Sequence, residues 1–317
     1  KEFLPDIVIS FGGNIFAGIK EQFRKFAGEF EHWLVQEDGR VVDLYKSITT
    51  IFECKPEYFF QYCLKMADKD QLNDREYYHG LKSYVDSVVY PDFPYSHVYA
   101  IKEVVERIPS DSILHLSIND SIRITNFFKL NPRIKTYANI GTHGIDGCLS
   151  SFLGQAAAGD KQSYLVIGDL AFFYDMNAMR LRHIKNNVHI LLINNEGGSE
   201  FYFNHMWKDE ASDLHTTARH HTKAEGWVKS NNFIYLSAHD KESMQEALKE
   251  FMRCDLEKPV FLEVFTEMKT DSDVIYDFFD LSRPKDVQSE TIRRSKEFIK
   301  ATIGQEKAQK IAGLFKK

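Results

Sequence analysis

The stretch of sequence from Gly168 to Gly198 reads GDLAFFYDMNAMRLRHIKNNVHILLINNEGG. Asp169 closely follows one apolar run, and Asn195 closely follows a second. The chain between them is long enough for a turn, a helix and a strand, so we predict two neighbouring parallel strands joined by a helical crossover. Both side chains then lie at the carboxyl edge of one sheet, where open α/β sheets bind their ligands.

Oxygen-bearing side chains at such an edge suit a hard divalent cation. Mg2+ commonly takes one or two protein carboxylates together with phosphate oxygens. We predict that Mg2+ is bound by the Asp169 carboxylate, the Asn195 side-chain carbonyl and a backbone carbonyl near Gly197, and that the group beside it carries phosphates. The alternative is that both runs are ordinary turns of the sheet, since Gly-Asp and Asn-Asn are common turn dipeptides.

A second loop, from Asn139 to Gly147, lies between a predicted strand and a predicted helix and reads NIGTHGIDG. Its three glycines permit close backbone approach, and the following helix directs free N–H groups at the loop. Together with the Asp169 and Asn195 pair, this loop would form the opposite wall of one phosphate site. Taken alone, a plain glycine-rich connection explains it equally well.

The remainder of the chain alternates predicted strands and helices, which indicates an α/β fold with a doubly wound parallel sheet. We assign residues 1–95 to a partial α/β middle domain with its linker, and residues 96–317 to a phosphate- and metal-binding domain with a charged helical tail. Helices are expected over residues 19–30, 173–185 and 215–230, among others. A strand begins within the first few residues and there is no initiator Met, so we expect a piece of a longer protein.

Composition excludes several classes of protein. The 317 residues are 43% hydrophobic and 27% charged, as in globular proteins with one large domain or two. The formal charge of −6 argues against nucleic acid as a partner. No apolar run reaches the length of a membrane span. The four cysteines are scattered without a CxxC pair, which favours reduced thiols in a cytoplasmic protein.

The Gly-Asp and Asn-Asn runs, in this context, resemble the diphosphate-binding motif of thiamine-diphosphate (ThDP) enzymes. Residues 144–151, GIDGCLSS, and 168–177, GDLAFFYDMN, narrow the resemblance to the 2-succinyl-5-enolpyruvyl-6-hydroxy-3-cyclohexene-1-carboxylate (SEPHCHC) synthase family of menaquinone biosynthesis. Residues 5–12 and 31–35 resemble the middle domain of that family. The resemblance therefore covers most of residues 4–266.

This resemblance implies a ThDP- and Mg2+-dependent transferase, a homodimer or homotetramer, that decarboxylates the small-molecule 2-oxoacid 2-oxoglutarate and joins the product to isochorismate. It implies cofactor contacts from Gly141, His143, Gly144, Ile145, Asp146, Gly168, Asp169, Leu170, Ala171, Asn195, Gly197, Gly198 and Phe201. Among these, Asp169, Asn195 and Gly197 would hold Mg2+, and Ile145 would prop the cofactor in a bent conformation. Arg123, beside Asn119, would receive a substrate carboxylate, which a guanidinium fork suits.

Several positions depart from the family pattern on the substrate side. Asn119 replaces a Ser, Ile140 replaces an Arg, His143 replaces a Ser, and Glu200 stands where an apolar Ile is expected. The phosphate and metal half of the pattern is kept. The cofactor assignment is therefore firmer than the substrate assignment, and a divergent ThDP enzyme of the acetolactate synthase or decarboxylase type, acting on another 2-oxoacid, is an open alternative.

No catalytic residue is assigned within the chain. The resemblance implies that an activating Glu comes from an N-terminal pyrimidine-binding domain for which we find no counterpart in this sequence. We therefore expect the chain alone to be inactive and to bind ThDP weakly or not at all. A non-catalytic scaffold that retains the fold is a further alternative. His215, His220 and His221 are not spaced as zinc ligands on one helix face. Contact of His220 or His143 with substrate is an open alternative, but we expect surface or capping roles for these two.

Overall fold

The computed structural model describes residues 3–12, 17–67, 75–141, 144–203 and 214–282. Two sheets are present in these ranges, a three-stranded sheet of order β1-β2-β3 and a six-stranded sheet of order β5-β4-β6-β7-β9-β8. Every strand pairing in both sheets is parallel. The predicted α/β fold with a doubly wound parallel sheet is confirmed.

Strands and helices alternate along most of the described chain. The strands are β1 (Ile7–Phe11), β2 (Glu31–Val35), β3 (Ile48–Phe52), β4 (Ile113–Leu116), β5 (Lys135–Ala138), β6 (Ser163–Gly168), β7 (Val188–Asn194), β8 (Ile234–Ala238) and β9 (Val260–Phe265). The helices are α1 (Ala17–Lys25), α2 (Pro56–Met66), α3 (Glu76–Asp86), α4 (His97–Val105), α5 (Asp120–Thr125), α6 (Cys148–Ala157), α7 (Asp169–Asp175), α8 (Ser199–Phe203), α9 (Glu225–Ser230), α10 (Lys241–Phe251) and α11 (Met268–Ser282). A short 3-10 helix, Met176–Arg180, follows α7.

The larger sheet is buried on both faces because helices cover both. Successive residues of β6 point to opposite sides, as the two-residue period of a strand requires. Tyr164 and Val166 pack in one buried cluster with residues of α4, α10 and α11, whereas Leu165 and Ile167 pack in a second cluster with residues of α6, α7 and α9. Continuous apolar runs therefore marked these strands in the sequence, as is typical of parallel sheets.

The order of the strands creates a crevice between β4 and β6. From β4 the chain first moves to one side to form β5, and then crosses to the other side to form β6 and β7. The loops after β4 and β6 consequently diverge at the carboxyl edge of the sheet. Such a reversal of strand order is where open α/β sheets bind their ligands.

Two predicted helices differ from the structure near this crevice. The helix predicted over 173–185 begins at Asp169, directly at the end of β6, and its α-helical part ends at Asp175. The helix predicted over 215–230 is interrupted in the middle, because residues 215–216 and the helix α9 (Glu225–Ser230) are helical whereas residues 217–224 are not. The segment from Thr217 to Lys223 is non-helical, and it is held by backbone contact with the loop after β7.

Two other differences between prediction and structure lie in the part of the chain that carries the three-stranded sheet. The helix predicted over 19–30 ends at Lys25, and Gly28 in the following turn has φ of +84°, which a helix does not allow. Helix α3 was not predicted, and none of its residues is buried, so the sequence carried no inward-facing stripe there. The predicted tail helix lies outside the described residues. Among the helices of the described ranges, none is both long and apolar enough to cross a membrane.

Candidate active site

A cavity opens at the crevice between β4 and β6. Its walls come mainly from the ends of three neighbouring strands and the segments that follow them, namely residues 117–121 after β4, 168–171 at the end of β6 and several residues of 193–201 at the end of β7. These segments meet because parallel strands end at the same edge of a sheet. The cavity therefore lies where the sequence predicted a phosphate and metal site.

Most of the predicted site residues lie at this cavity. Those that line it are Asn119, Ile145, Gly168, Asp169, Leu170, Ala171, Asn195, Gly197, Gly198 and Phe201. Gly141, Gly144, Asp146 and Arg123 are described but are not among its lining residues. His143 lies outside the described residues.

Asp169 joins the loops after β6 and β7. Its side chain is buried, and its Oδ1 accepts the backbone N–H of Leu170 at 2.6 Å while its Oδ2 accepts the backbone N–H of Gly197 at 2.9 Å. A carboxylate offers about four lone-pair sites, so two hydrogen bonds leave capacity for a cation. The structure thus brings Asp169 and Gly197, two of the three predicted Mg2+ ligands, into direct contact.

Gly197 owes its place to the absence of a side chain. Its φ is +154°, and a Cβ at this position would lie 2.7 Å from the Thr217 carbonyl oxygen and 2.9 Å from Cε of Met268. The neighbouring Gly198 donates its N–H to the same Thr217 oxygen at 2.7 Å. The 217–223 segment therefore fixes the loop after β7 by close backbone packing that only glycine permits.

His220 belongs to this segment and reaches the predicted metal ligands. Its Nε2 lies 3.3 Å from Oδ2 of Asp169, an ion-pair contact without the alignment of a good hydrogen bond. The Asp169 carboxylate raises the pKa of His220. Sequence reasoning missed this contact because it placed His220 on a continuous helix. The Thr and His pairs in residues 214–223, which are poor helix formers, were the available signal.

Asn195 is held in one orientation by a buried carboxylate. Its Nδ2 donates to Oδ2 of Asp271 at 2.9 Å, and the same oxygen accepts the hydroxyl of Thr266 at 2.6 Å. The carboxylate accepts and the amide nitrogen donates, so the amide cannot be reversed without losing this bond. The side-chain carbonyl oxygen of Asn195 is then the atom available to a ligand in the cavity.

Behind Asn195 lies a buried ionic network that the sequence did not indicate. His97 places Nδ1 at 3.2 Å from Oδ1 of Asp271 and Nε2 at 3.7 Å from Oδ2 of Asp120. Burial opposes the charge on His97, but the Asp271 carboxylate outweighs it and raises the pKa of His97. Burial likewise opposes the charge on Asp271, and the adjacent His97 holds the pKa of that carboxyl below its usual value.

The glycine-rich loop presents fewer free donors than predicted. Gly147, with φ of +74°, precedes α6, and Asn139 donates through Nδ2 to the Asp146 carbonyl at 3.0 Å. Near the start of α6, the backbone N–H of Ser150 is already taken by Oδ2 of Asp175 at 2.7 Å. We predicted that this end of the helix offers free N–H groups to an anion. That prediction is wrong for Ser150, whose N–H is not free. Ile145, from the same loop, does line the cavity.

Arg123 does not stand open to a substrate carboxylate. Its Nη1 lies 2.5 Å from Oε1 of Glu200, which links α5 to α8. Beside this pair, the hydroxyl of Ser199 donates to Oδ2 of Asp120 at 2.6 Å. A carboxylate of the protein itself thus engages the guanidinium that the sequence assigned to the substrate.

The donor set at the cavity fits Mg2+ better than a softer metal. Asp169, Asn195 and the Gly197 carbonyl are oxygen donors, and the Gly197 oxygen accepts one N–H, from Ser199 at 3.1 Å. A carbonyl oxygen with two lone pairs can still bind a cation. Within the described ranges, no group of three or more His, Cys, Asp or Glu side chains is placed to hold a metal ion. Mg2+ needs no such group, because phosphate and water supply most of its ligands.

The chain is similar over most of its length to curated proteins that share one name. No family model matches it. The chain is 34% identical over 284 residues to 2-succinyl-5-enolpyruvyl-6-hydroxy-3-cyclohexene-1-carboxylate synthase of Phocaeicola vulgatus, covering 88% of this chain and 50% of that protein. It is 34% identical over 286 residues to the synthase of the same name from Bacteroides thetaiotaomicron, covering 90% and 51%. For the synthase of Flavobacterium johnsoniae the identity is 30% over 293 residues, covering 88% and 51%. The chain spans about half the length of the curated relatives it matches.

Proposed function

This chain belongs to the SEPHCHC synthase family, and from that premise we propose that it is the part of a ThDP- and Mg2+-dependent enzyme that binds the cofactor diphosphate. One observation carries the proposal. Asp169 and Gly197 are hydrogen-bonded to each other at a cavity that Asn195 also lines. Three oxygen donors from two neighbouring loops therefore surround a space of the kind that a cation and a diphosphate occupy together.

Each part of the cavity has a distinct task in this proposal. Asp169, Asn195 and Gly197 would hold Mg2+, whose other ligands would be diphosphate oxygens. Ile145 and Leu170 would contact the apolar rings of the cofactor, and they line the cavity beside the donor set. When bound, ThDP supplies the nucleophilic carbon and the electron sink for breaking and making a bond next to a carbonyl group. The chain itself positions and shields these groups.

The reaction proposed for the complete enzyme is decarboxylation of a 2-oxoacid followed by carbon–carbon bond formation with an acceptor. Family membership supports 2-oxoglutarate and isochorismate as the pair, in menaquinone biosynthesis. We further propose a homodimer or homotetramer in which an activating Glu comes from a domain outside this sequence. The chain alone should then bind the cofactor weakly and show no turnover. The alternative that must be distinguished from this enzyme is a non-catalytic scaffold that retains the fold.

Binding of ThDP, measured by 31P NMR in the presence and absence of Mg2+, tests this function and detects weak binding. We expect the chain to broaden the diphosphate signals only when Mg2+ is present. Asp169→Asn should weaken this binding by about tenfold or more, the loss that even outer-shell partners of metal sites can produce. Asp160→Asn is the matched control, because Asp160 is an exposed carboxylate paired with Lys185 at 2.8 Å and remote from the cavity.

Two results would count against the proposal. One is a complete protein, with the proposed N-terminal domain, that leaves the diphosphate signals unchanged at millimolar cofactor with Mg2+, which would favour the scaffold. The other is equal binding by the wild-type chain and the Asp169→Asn variant, which would place the diphosphate elsewhere.

A further inference from the structure

His220 connects the two loops that carry the proposed Mg2+ ligands. Its backbone N–H donates to the Glu196 carbonyl at 3.0 Å, in the loop after β7. Its side chain reaches the end of β6, where Nε2 lies 3.3 Å from Oδ2 of Asp169. One residue therefore contacts both the loop that contains Asn195 and Gly197 and the carboxylate that completes the donor set.

The surroundings of the His220 ring decide which of its nitrogens carries the hydrogen. Nδ1 lies 3.1 Å from the backbone nitrogen of Thr222, whose N–H can only donate. Nδ1 is therefore the acceptor, and the hydrogen of the neutral ring is on Nε2, beside Asp169. The ring of Phe173 lies edge-on to the imidazole with the centroids 5.3 Å apart, and the His220 side chain is only 17% exposed. The imidazole thus has little room to turn its N–H away from the carboxylate.

The two oxygens of Asp169 differ in what surrounds them. Oδ2 accepts the N–H of Gly197 and also faces Nε2 of His220, a buried nitrogen with no aligned hydrogen-bond partner in the described part of the chain. Two donors beside one oxygen use both of its lone pairs. Oδ1 accepts the N–H of Leu170 and keeps a lone pair for a cation. His220 does not line the cavity, so it takes up none of the space that a ligand needs.

From these contacts we propose that His220 is a positioning residue for the metal site, and that it holds Asp169 so that Oδ1 is the oxygen presented to Mg2+. The inference rests on the proposed function and deepens it, because it names a residue outside the donor set on which cation binding depends. His220 itself contacts neither the cation nor the diphosphate. Loss of an outer-shell partner of this kind commonly weakens metal binding by about 10- to 100-fold.

The Mg2+ concentration that gives half-maximal ThDP binding tests this role. It is measured by 31P NMR at fixed ThDP, on the complete protein with the proposed N-terminal domain. His220→Leu should raise this concentration about tenfold and leave ThDP binding at saturating Mg2+ within about twofold of wild type, because excess cation compensates for a weaker metal site. His220→Gln keeps an N–H donor at a similar reach, so its Mg2+ requirement should lie within about threefold of wild type.

The neighbouring histidine supplies a matched control. His221 is 78% exposed and pairs with Glu196 at 3.0 Å rather than with Asp169. His221→Leu should therefore have the Mg2+ requirement of wild type. The melting temperature of each variant is measured alongside, because damage to the fold alone would lower it without changing the Mg2+ requirement.

The outcomes separate this inference from the proposed function. An unchanged or lower Mg2+ requirement in His220→Leu, or an equal rise in His220→Leu and His220→Gln, would overturn the role of the His220 N–H and leave cofactor binding intact. A lower melting temperature in His220→Leu with an unchanged Mg2+ requirement would show a merely structural contact, and would overturn it as well. Failure of the wild-type protein to bind ThDP with Mg2+ would remove the proposed function and this inference together.

Discussion

Asp271 is a fully buried carboxylate that holds a proposed metal ligand in place. It accepts hydrogen bonds from the Asn195 amide, the Thr266 hydroxyl and the backbone N–H of His97. It also lies 3.2 Å from the His97 ring. An asparagine here would keep one acceptor oxygen and turn an N–H group towards groups that already donate.

We predict that Asp271→Asn lowers the free energy of unfolding by about 3 kcal/mol, the scale for breaking a buried ion pair by removing one partner. Asp273→Asn is the control from the same helix, because that carboxylate is 60% exposed in its pair with Lys269 and should change stability by less than about 1 kcal/mol. Urea denaturation of both variants measures the difference. Equal stabilities would show that the buried network is not maintained in solution.

The close packing around Gly197 gives a second prediction for a single residue. An alanine Cβ would overlap the Thr217 carbonyl oxygen and the Met268 side chain, so Gly197→Ala should cost about 1–3 kcal/mol of unfolding free energy. Gly226→Ala, within helix α9 and facing open space, should instead stabilise the protein by about 0.5–1 kcal/mol. Thermal denaturation of the two variants should therefore move the midpoint in opposite directions. A midpoint unchanged by Gly197→Ala would contradict the close packing of the loop.

The sequence located the part of the site that depends on strand ends, and missed the part that depends on distant packing. Asp169 and Asn195 could be placed together because each closes a strand of one parallel sheet. Asp271 meets Asn195 from 76 positions away, and it meets the backbone of His97 from 174 positions away. No local pattern encodes such contacts. The role of Arg123 was predicted from the resemblance alone, which could not show that Glu200 engages it.

At the scale of elements, strands were predicted more reliably than helices. The strands β6, β7 and β9 are buried at nearly every position, so their apolar runs are unmistakable. Helix α10 also leaves a clear pattern in the sequence, because Met244, Ala247, Leu248 and Phe251 form one buried stripe. The segment after Thr217 is different, since backbone contacts with Gly198 and Glu196 decide its course and leave no periodic trace in the sequence.

The packing of β7 against α10 makes the stability of the protein depend on pH. His189 of β7 is fully buried, with Nδ1 at 2.8 Å from the Phe251 carbonyl oxygen and its ring stacked on Tyr164. Burial lowers its pKa from 6.5 to about 4. Between these values the unfolded chain binds a proton that the folded chain does not, so stability falls as the pH falls.

We predict a loss on the order of 3 kcal/mol from this histidine as the pH falls from 6.5 to 4, because each pKa unit corresponds to about 1.4 kcal/mol. Denaturant unfolding at several pH values measures it. His189→Leu should reduce the pH dependence in this window whatever its own effect on stability, and His183→Leu, at an exposed histidine, should not. The same slope in His189→Leu and wild type would show that another group is responsible.

At the scale of the whole molecule, the described residues form two parallel sheets of unequal size, and the cavity belongs to the larger. The chain spans about half the length of its curated relatives. The domain limits at residues 95 and 96 remain a prediction. Two of the departures on the substrate side, Asn119 and Glu200, lie at the start of α5 and in α8, and not at the donor set for Mg2+.

The most direct test is anomalous diffraction from crystals of the chain grown with Mn2+ and ThDP. We predict one Mn2+ peak within coordination distance of an oxygen of Asp169 and of the side-chain oxygen of Asn195, with diphosphate density beside it. A peak bound by only one of these side chains, or located away from the β4–β6 crevice, would contradict a shared metal and diphosphate site.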